Sequence, residues 1–158
     1  MNAKIGVNFV IFWSVYNGQP KVLRIILSKN FKTFPNPVIL SCSKINKLAN
    51  QVTAVLAGKN IRFALGMLRF DLCPVFQQKV LRAAAAIPRG KVRSYQFIAK
   101  YIGKPKAARA VGRALANNPF PIVIPCHRVI RSDGALGGYQ GGLKMKKYLL
   151  NSELEQLN

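Results

Sequence analysis

Between Pro74 and Asn118 the sequence is punctuated closely enough to restrict what it can fold into. The run "VFQQKVLRAAAAI" has helical character, follows Pro74 where a first-turn proline belongs, and stops at Pro88-Arg89-Gly90, a turn. Ser94 is placed to cap a helix running through Ile98 to Gly103. A short turn containing Pro105 then opens a second helix, "KAARAVGRALANN". Two short helices joined by a glycine-containing turn outline a helix-turn-helix, so the second half is expected to be mainly α. Many small α domains contain such a pair, and the outline alone selects no function.

The first half reads differently. Val7, Phe9, Ile11, Trp13 and Val15 alternate, "YNGQP" supplies a turn with the Asn17-Gly18 hairpin signal, and "KVLRIIL" returns. Residues 31–43, with Pro35 and Pro37, read as a loop. Ile45, Leu48, Ala49, Val52, Val55 and Leu56 then recur at helical spacing and stop at Gly58. An irregular stretch follows to about Cys73, and the lobe boundary is placed near residue 70. At 158 residues the chain suffices for one well-buried domain or two small lobes sharing an interface.

Charge narrows the partners. Twenty-five Lys and Arg face four acids (Asp71, Asp133, Glu153 and Glu155), a net charge of +21. Internal ion pairs cannot neutralise that surplus, so much of it faces solvent and attracts polyanions. Nucleic acid leads over an anionic membrane surface, because no long basic amphipathic helix with a bulky apolar face stands out. The apolar stretches fall short of the roughly 18 residues of a membrane span, and "MNAKIGVNF" lacks the regions of a signal peptide. A soluble intracellular protein is expected. On the second helix Ala107, Ala108, Ala110, Gly112 and Ala114 are small, while Arg109 and Arg113 project together at i, i+4. Such a smooth face with two cations can approach DNA, even in the minor groove.

Cys42, Cys73 and Cys126 form no C-x-x-C pair, and the single histidine cannot complete the usual Cys/His zinc set. No metal or cofactor is expected. Free thiols are the reading for a cytosolic setting, with a Cys42–Cys73 disulfide as the hyperthermophile alternative. The histidine sits in "IPCHRVI", directly after Cys126. A thiolate is the reactive form of cysteine, and its pKa near ~8.5 leaves little of it at neutral pH. A neighbouring base would remedy this. Successive side chains on an extended strand point to opposite faces, so either the chain bends after Pro125 or a water carries the proton from Cys126 to His127. A third group should orient the base, and Glu153, after the helical run "LKMKKYLLNSE", is the candidate acid. Composition permits that arrangement without establishing it.

"PCHRVI", followed by "GALGGYQGG" and "KKYLLNSE" and preceded by "VRSYQFIAKYIGKPKAARAVGRALANNPFPIVI", resembles the O6-alkylguanine-DNA alkyltransferase family. The likeness is close over residues 74–153, and residues 1–70 match only in outline. It implies an α/β N-terminal lobe of short strands plus a helix over residues 1–70. Residues 71–158 would then form a mainly α lobe with a winged-helix-like helix-turn-helix. It also implies an irreversible, single-turnover transfer of an alkyl group from O6 of guanine to Cys126, with O4-alkylthymine as a further substrate. His127 is then the base acting through water, Glu153 the carboxylate holding it, and Tyr95 the donor to the departing guanine. Arg109 is the finger that fills the space of the flipped base, with Ser94, Ala107, Ala108 and Arg113 beside it on the DNA. Asn118 braces the helix-turn-helix, and Val129, Tyr139 and Gln140 join Tyr95 and Asn118 in lining the pocket. Arg128 is structural. The implied partner is double-stranded DNA containing alkylated guanine, met through the minor groove by a monomer. The implied place is the cytoplasm, nucleoid-associated, or the nucleus of a eukaryote.

Two departures stand out. The zinc ligands of some relatives are missing, and Gly138 and Gln140 replace a bulkier polar residue and a serine or glycine. The competing readings are an alkyltransferase-like binder lacking the cysteine, a Cys-His hydrolase, and a helix-turn-helix regulator with an inert Cys126.

Overall fold

The computed structural model of the chain describes residues 8–28 and 42–154. Two strands, β1 (Asn8–Tyr16) and β2 (Gln19–Ser28), form the antiparallel hairpin expected from the alternation. Asn17 and Gly18 both take positive φ, 51° and 70°, as a two-residue primed turn requires. The register slips between Phe12 and Trp13, leaving Leu23 as the extra residue of a bulge. That bulge explains why the two core residues of β2, Val22 and Ile25, lie three apart rather than two. Phe9, Ile11 and Trp13 pack inward as expected, but Val15 near the turn is exposed. Val7 and most of the expected 31–43 loop lie outside the described residues.

Helix α1 (Ser43–Leu56) buries Ile45, Leu48, Val52 and Val55, the i, i+3, i+4 face read from the sequence. It ends in a Schellman motif: Lys59 N donates to Ala54 O, Gly58 N to Val55 O, and Gly58 sits at φ 91°. Two single 3₁₀ turns, Leu65–Met67 and Phe70–Leu72, carry the chain into the second half. Leu68 pairs with Val22 as an isolated bridge, and Ile25 N donates to Pro119 O at 2.7 Å. One apolar core therefore runs from the hairpin into the helical half.

Helix α2 (Val75–Ala85) begins one residue later than expected: Pro74 is its N-cap, in extended conformation, rather than a first-turn residue. Lys91 N donates to Pro88 O across the predicted turn. A two-residue strand, β3 (Arg93–Ser94), leads into α3 (Tyr95–Tyr101). Ser94 Oγ accepts the Phe97 N–H at 3.0 Å, the capping bond expected of it. α3 also closes with a Schellman motif at Gly103, so it is shorter than the reading to Gly103. Gln96 Nε2 donates to Pro105 O at 2.7 Å and pins the turn before α4 (Ala108–Ala116), whose N-cap is Ala107. Gln77 on α2 donates to the Ala114 and Asn117 carbonyls, tying α2 to the end of α4. Strand β4 (Val129–Ile130) pairs in parallel with β3, and α5 (Leu143–Leu154) closes the molecule. The α/β lobe and the helix-turn-helix lobe are thus both present. All three cysteines are free, so the alternative Cys42–Cys73 disulfide is not formed. No described helix is long and apolar enough to cross a membrane.

Candidate active site

The segment from Asn118 to Arg128 is buried almost throughout, so its backbone polar groups need partners. Asn118 supplies several. Its Oδ1 accepts the Phe120 N–H at 2.9 Å, and its Nδ2 donates to Ile124 O and to Cys126 Sγ, both at 3.2 Å. These bonds hold a bend in which Ile122, β-branched and buried, sits at φ 72°. Such a conformation costs on the order of 1–3 kcal/mol and persists only where its surroundings over-determine it. Phe120, with no exposed surface, packs edge-on against Phe70 and anchors the same bend.

After Pro125 the chain makes a single 3₁₀ turn, Cys126–Arg128, rather than the extended strand considered above. The turn aims Cys126 and His127 differently, and no hydrogen bond joins the thiol to the imidazole. Cys126 Sγ faces a cleft of about 560 Å³, whose lining includes Tyr95, Arg109, Arg113, Tyr139 and Gln140. His127 is buried behind it, 1% exposed, with Nε2 2.9 Å from Glu153 Oε1. Burial opposes ionisation of Glu153, but hydrogen bonds from His127 and Arg128 more than offset it and bring its pKa down to about 2. An ionised carboxylate only accepts, so His127 Nε2 carries the proton and Nδ1 is left as an acceptor. That Nδ1 is buried and has no protein partner. Burial holds the imidazole below its usual pKa, against the pull of Glu153, and holds the Cys126 thiol above its own, against the Asn118 hydrogen bond and Lys146. The resting pair is therefore neutral thiol and neutral imidazole.

Glu153 is the hub of this cluster. Arg128 donates to it through Nε at 3.0 Å and Nη2 at 2.9 Å, with Nη1 on Ile87 O, and Gly90 N adds a bond at 3.1 Å. Arg128 thus has the structural part expected of it. Sequence reasoning missed Lys146. It has no exposed surface, and its ammonium donates to the carbonyls of Val129 (2.6 Å), Leu136 and Gly138 (3.3 Å). Burial lowers its pKa to about 8, with Cys126 pulling the other way. Lys146, Leu149 and Glu153 all lie on the buried face of α5 at i, i+3 and i+7. A lysine on the stripe of a core leucine was the available signal.

Tyr95, the first residue of α3, stands half-buried between Gly112 and Gly137. A Cβ on Gly137, which has φ 67°, would come within 2.7 Å of the Tyr95 hydroxyl, so only glycine lets the loop pass so close. Tyr139 stands edge-on to His127, with ring centroids 6.3 Å apart, and its buried hydroxyl has no protein partner. Arg109 and Arg113 are exposed on α4 and line the same cleft. Ala107 and Ala108 begin that helix half-buried, and the Ser94 hydroxyl is spent on its cap. Asn118 and Val129 lie behind the cleft rather than on its wall, Val129 as a fully buried core residue. Of the acids, Asp71 pairs with Arg69, Asp133 with Arg131, and Glu153 is enclosed, while Glu155 lies outside the described residues. No group of three or more His, Cys, Asp or Glu that could hold a metal occurs among the described residues.

The linkage gives a stability prediction. A carboxylate whose folded pKa is about 2 instead of 4.5 adds stability above pH 4.5 that is lost as pH falls toward 2. The amount is about 3 kcal/mol. His127 is also depressed, so the unfolded chain gains a proton first as pH drops below 6.5, and acid weakens the fold from there. Urea midpoints should fall between pH 6.5 and 2. Glu153→Gln, less stable at neutral pH, should lose the part below pH 4.5.

A cysteine and two exposed arginines of α4 thus line one cleft, with an oriented imidazole buried behind it. The sequence model described as "6-O-methylguanine DNA methyltransferase, DNA binding domain" matches residues 75–155. A methylated-DNA–protein-cysteine methyltransferase of Methanothermobacter thermautotrophicus is 43% identical over 136 residues, 86% of this chain and 76% of that protein. The structure of Mycobacterium tuberculosis OGT in complex with DNA superposes with a TM-score of 0.73 at 34% identity, covering 92% of this chain and 87% of that one. The O6-methylguanine-DNA methyltransferase of Pyrococcus kodakaraensis gives 0.67 at 25% identity, over 92% and 99%. The chain belongs to the methylated-DNA–protein-cysteine methyltransferase family.

Proposed function

We propose that this protein repairs DNA by moving the alkyl group of O6-alkylguanine onto Cys126, once per molecule. The observation that carries the reading is the cleft in which Cys126 Sγ and the exposed Arg109 share one lining. A base inside a duplex cannot be reached, so the target leaves the stack through the minor groove and enters that cleft. Arg109 fills the space it vacates, and the small face of Ala107 and Ala108, with Arg113 and Ser94 nearby, lets α4 and the start of α3 lie close to the backbone.

In the cleft the Cys126 S–H proton passes to a water, and that water's proton passes to His127 Nδ1. Glu153 steadies the imidazolium that results. The thiolate attacks the alkyl carbon, an S–C bond forms, the C–O6 bond breaks, and its electron pair stays on guanine. The Tyr95 hydroxyl donates to the base as that charge develops, the place where a preorganised donor contributes most. Asn118 steadies the sulfur, and Tyr139, Gln140 and the Val129 segment shape the pocket. Lys146 holds the loop carbonyls and lends its charge to the thiolate. O4-alkylthymine offers the same alkyl–oxygen bond and falls within the proposal.

Residues 71–158 form the reacting lobe and residues 1–70 the lobe that packs against it, a division supported by every site side chain falling after residue 71. The protein acts as a monomer wherever DNA is, in the cytoplasm at the nucleoid or in a nucleus. A thioether has no ready leaving route, so repaired guanine should equal active protein when O6-methylguanine duplex is in excess. Continued release of repaired DNA beyond one equivalent would overturn the proposal.

A further inference from the structure

The loop "GALGGYQGG", residues 134–142, forms one wall of the cleft and contains five glycines. Gly134, Gly137 and Gly142 take positive φ, and nothing lies within 4 Å of where a Cβ on Gly138 would stand. Such a segment has little intrinsic stiffness, so its position depends on what ties it down. Three side chains do so, the first being Asp133, whose Oδ1 accepts the Ala135 N–H at 3.0 Å. Lys146 grips the carbonyls of Leu136 and Gly138 from inside. Gln140 Nε2 reaches in the other direction and donates to Asn118 O at 2.8 Å.

The Gln140 tie joins the cleft wall to a residue behind the cleft. Gln140 belongs to the glycine-rich wall, and Asn118 follows the end of α4, whose Arg113, Leu115 and Ala116 line the same cleft. Asn118 is also the residue whose Nδ2 donates to Cys126 Sγ. The latch therefore ties the glycine-rich wall to the residue that positions the sulfur.

We infer that Gln140 determines alkyl-group size: its bond to Asn118 O holds the wall closed around small groups such as methyl and disfavours bulky ones such as benzyl. The inference rests on the alkyl-transfer reading above. With the bond gone, the glycine-rich wall can swing outward and admit the larger group, while a methyl group gains nothing from the added width.

The test compares single-turnover rates on two duplexes that differ only in carrying O6-methylguanine or O6-benzylguanine. Gln140→Glu keeps the side-chain length but cannot donate to a carbonyl, and Gln140→Leu keeps similar volume with neither donor nor charge. Both should raise the benzyl-to-methyl rate ratio by roughly three- to tenfold, the range that one hydrogen bond is worth. Each ratio is taken within one protein, so a loss of folded material or of DNA affinity common to the two duplexes cancels. An unchanged ratio in both variants overturns the latch. So does a rise confined to Gln140→Ala, which would point to side-chain volume instead. A wild-type chain that takes an alkyl group from neither duplex fails earlier and overturns the alkyl-transfer reading itself.

Discussion

Arg109→Ala should slow repair of an O6-methylguanine duplex by roughly ten- to several-hundredfold, while reaction with the free O6-methylguanine base stays near that of the unaltered protein. The range follows from the cost of unstacking, a few kcal/mol, at about 1.4 kcal/mol per tenfold in rate. Arg109 is exposed on α4, and among the described residues its side chain has no partner whose loss would disturb the fold. It lines the same cleft as Cys126, the cleft that the proposed mechanism has the base enter. A free base is already unstacked and needs no such help. Single-turnover rates on the two substrates separate extrusion from chemistry. Equal slowing of both would mean that Arg109 supports the pocket instead.

Cys126→Ser should abolish both reactions and leave duplex binding intact. Serine can keep a hydrogen bond from Asn118 Nδ2, so the bend from Asn118 to Arg128 loses little. What changes is the nucleophile. The hydroxyl is far less acidic than a thiol, and the buried, weakly basic His127 cannot take its proton to a useful extent. The exposed side chains of α3 and α4, the proposed DNA contacts, are untouched. Duplex binding by electrophoretic shift, beside repair by product release, distinguishes this result from a misfolded chain, which would lose both.

Legibility in the sequence was uneven, for physical reasons. Periodicity and punctuation placed α1, α2, α3, α4 and the hairpin, because apolar spacing and turn glycines act locally. The bulge at Leu23 was not readable. It answers to packing of Val22 and Ile25 against the helical half, a long-range demand. The position of Pro74 as a cap rather than a first-turn residue is a one-residue matter that propensity does not resolve.

The Cys126–His127–Glu153 set was nameable because one histidine and four acids leave few combinations. Its shape was not. Whether adjacent residues share a face depends on a 3₁₀ turn that Asn118 and Ile122 impose from outside the motif. Lys146 was hidden among three lysines in five residues, a pattern that normally marks a solvated face. The Gln140 latch joins residues 22 apart in sequence, so nothing local announces it. The basic surplus was legible from composition, and the structure adds that each described acid is already paired.

The central claim is that one particular sulfur receives the alkyl group, and peptide mass mapping after reaction with an isotope-labelled O6-methylguanine duplex tests it most directly. All three cysteines are free, so the protein carries its own controls. Cys42 and Cys73 lie off the cleft, and burial, with the Asp71 charge, raises the Cys73 pKa. One labelled methyl group per molecule is expected, all of it on the peptide containing Cys126. Label on Cys42 or Cys73, or repaired guanine with Cys126 unmodified, would contradict it.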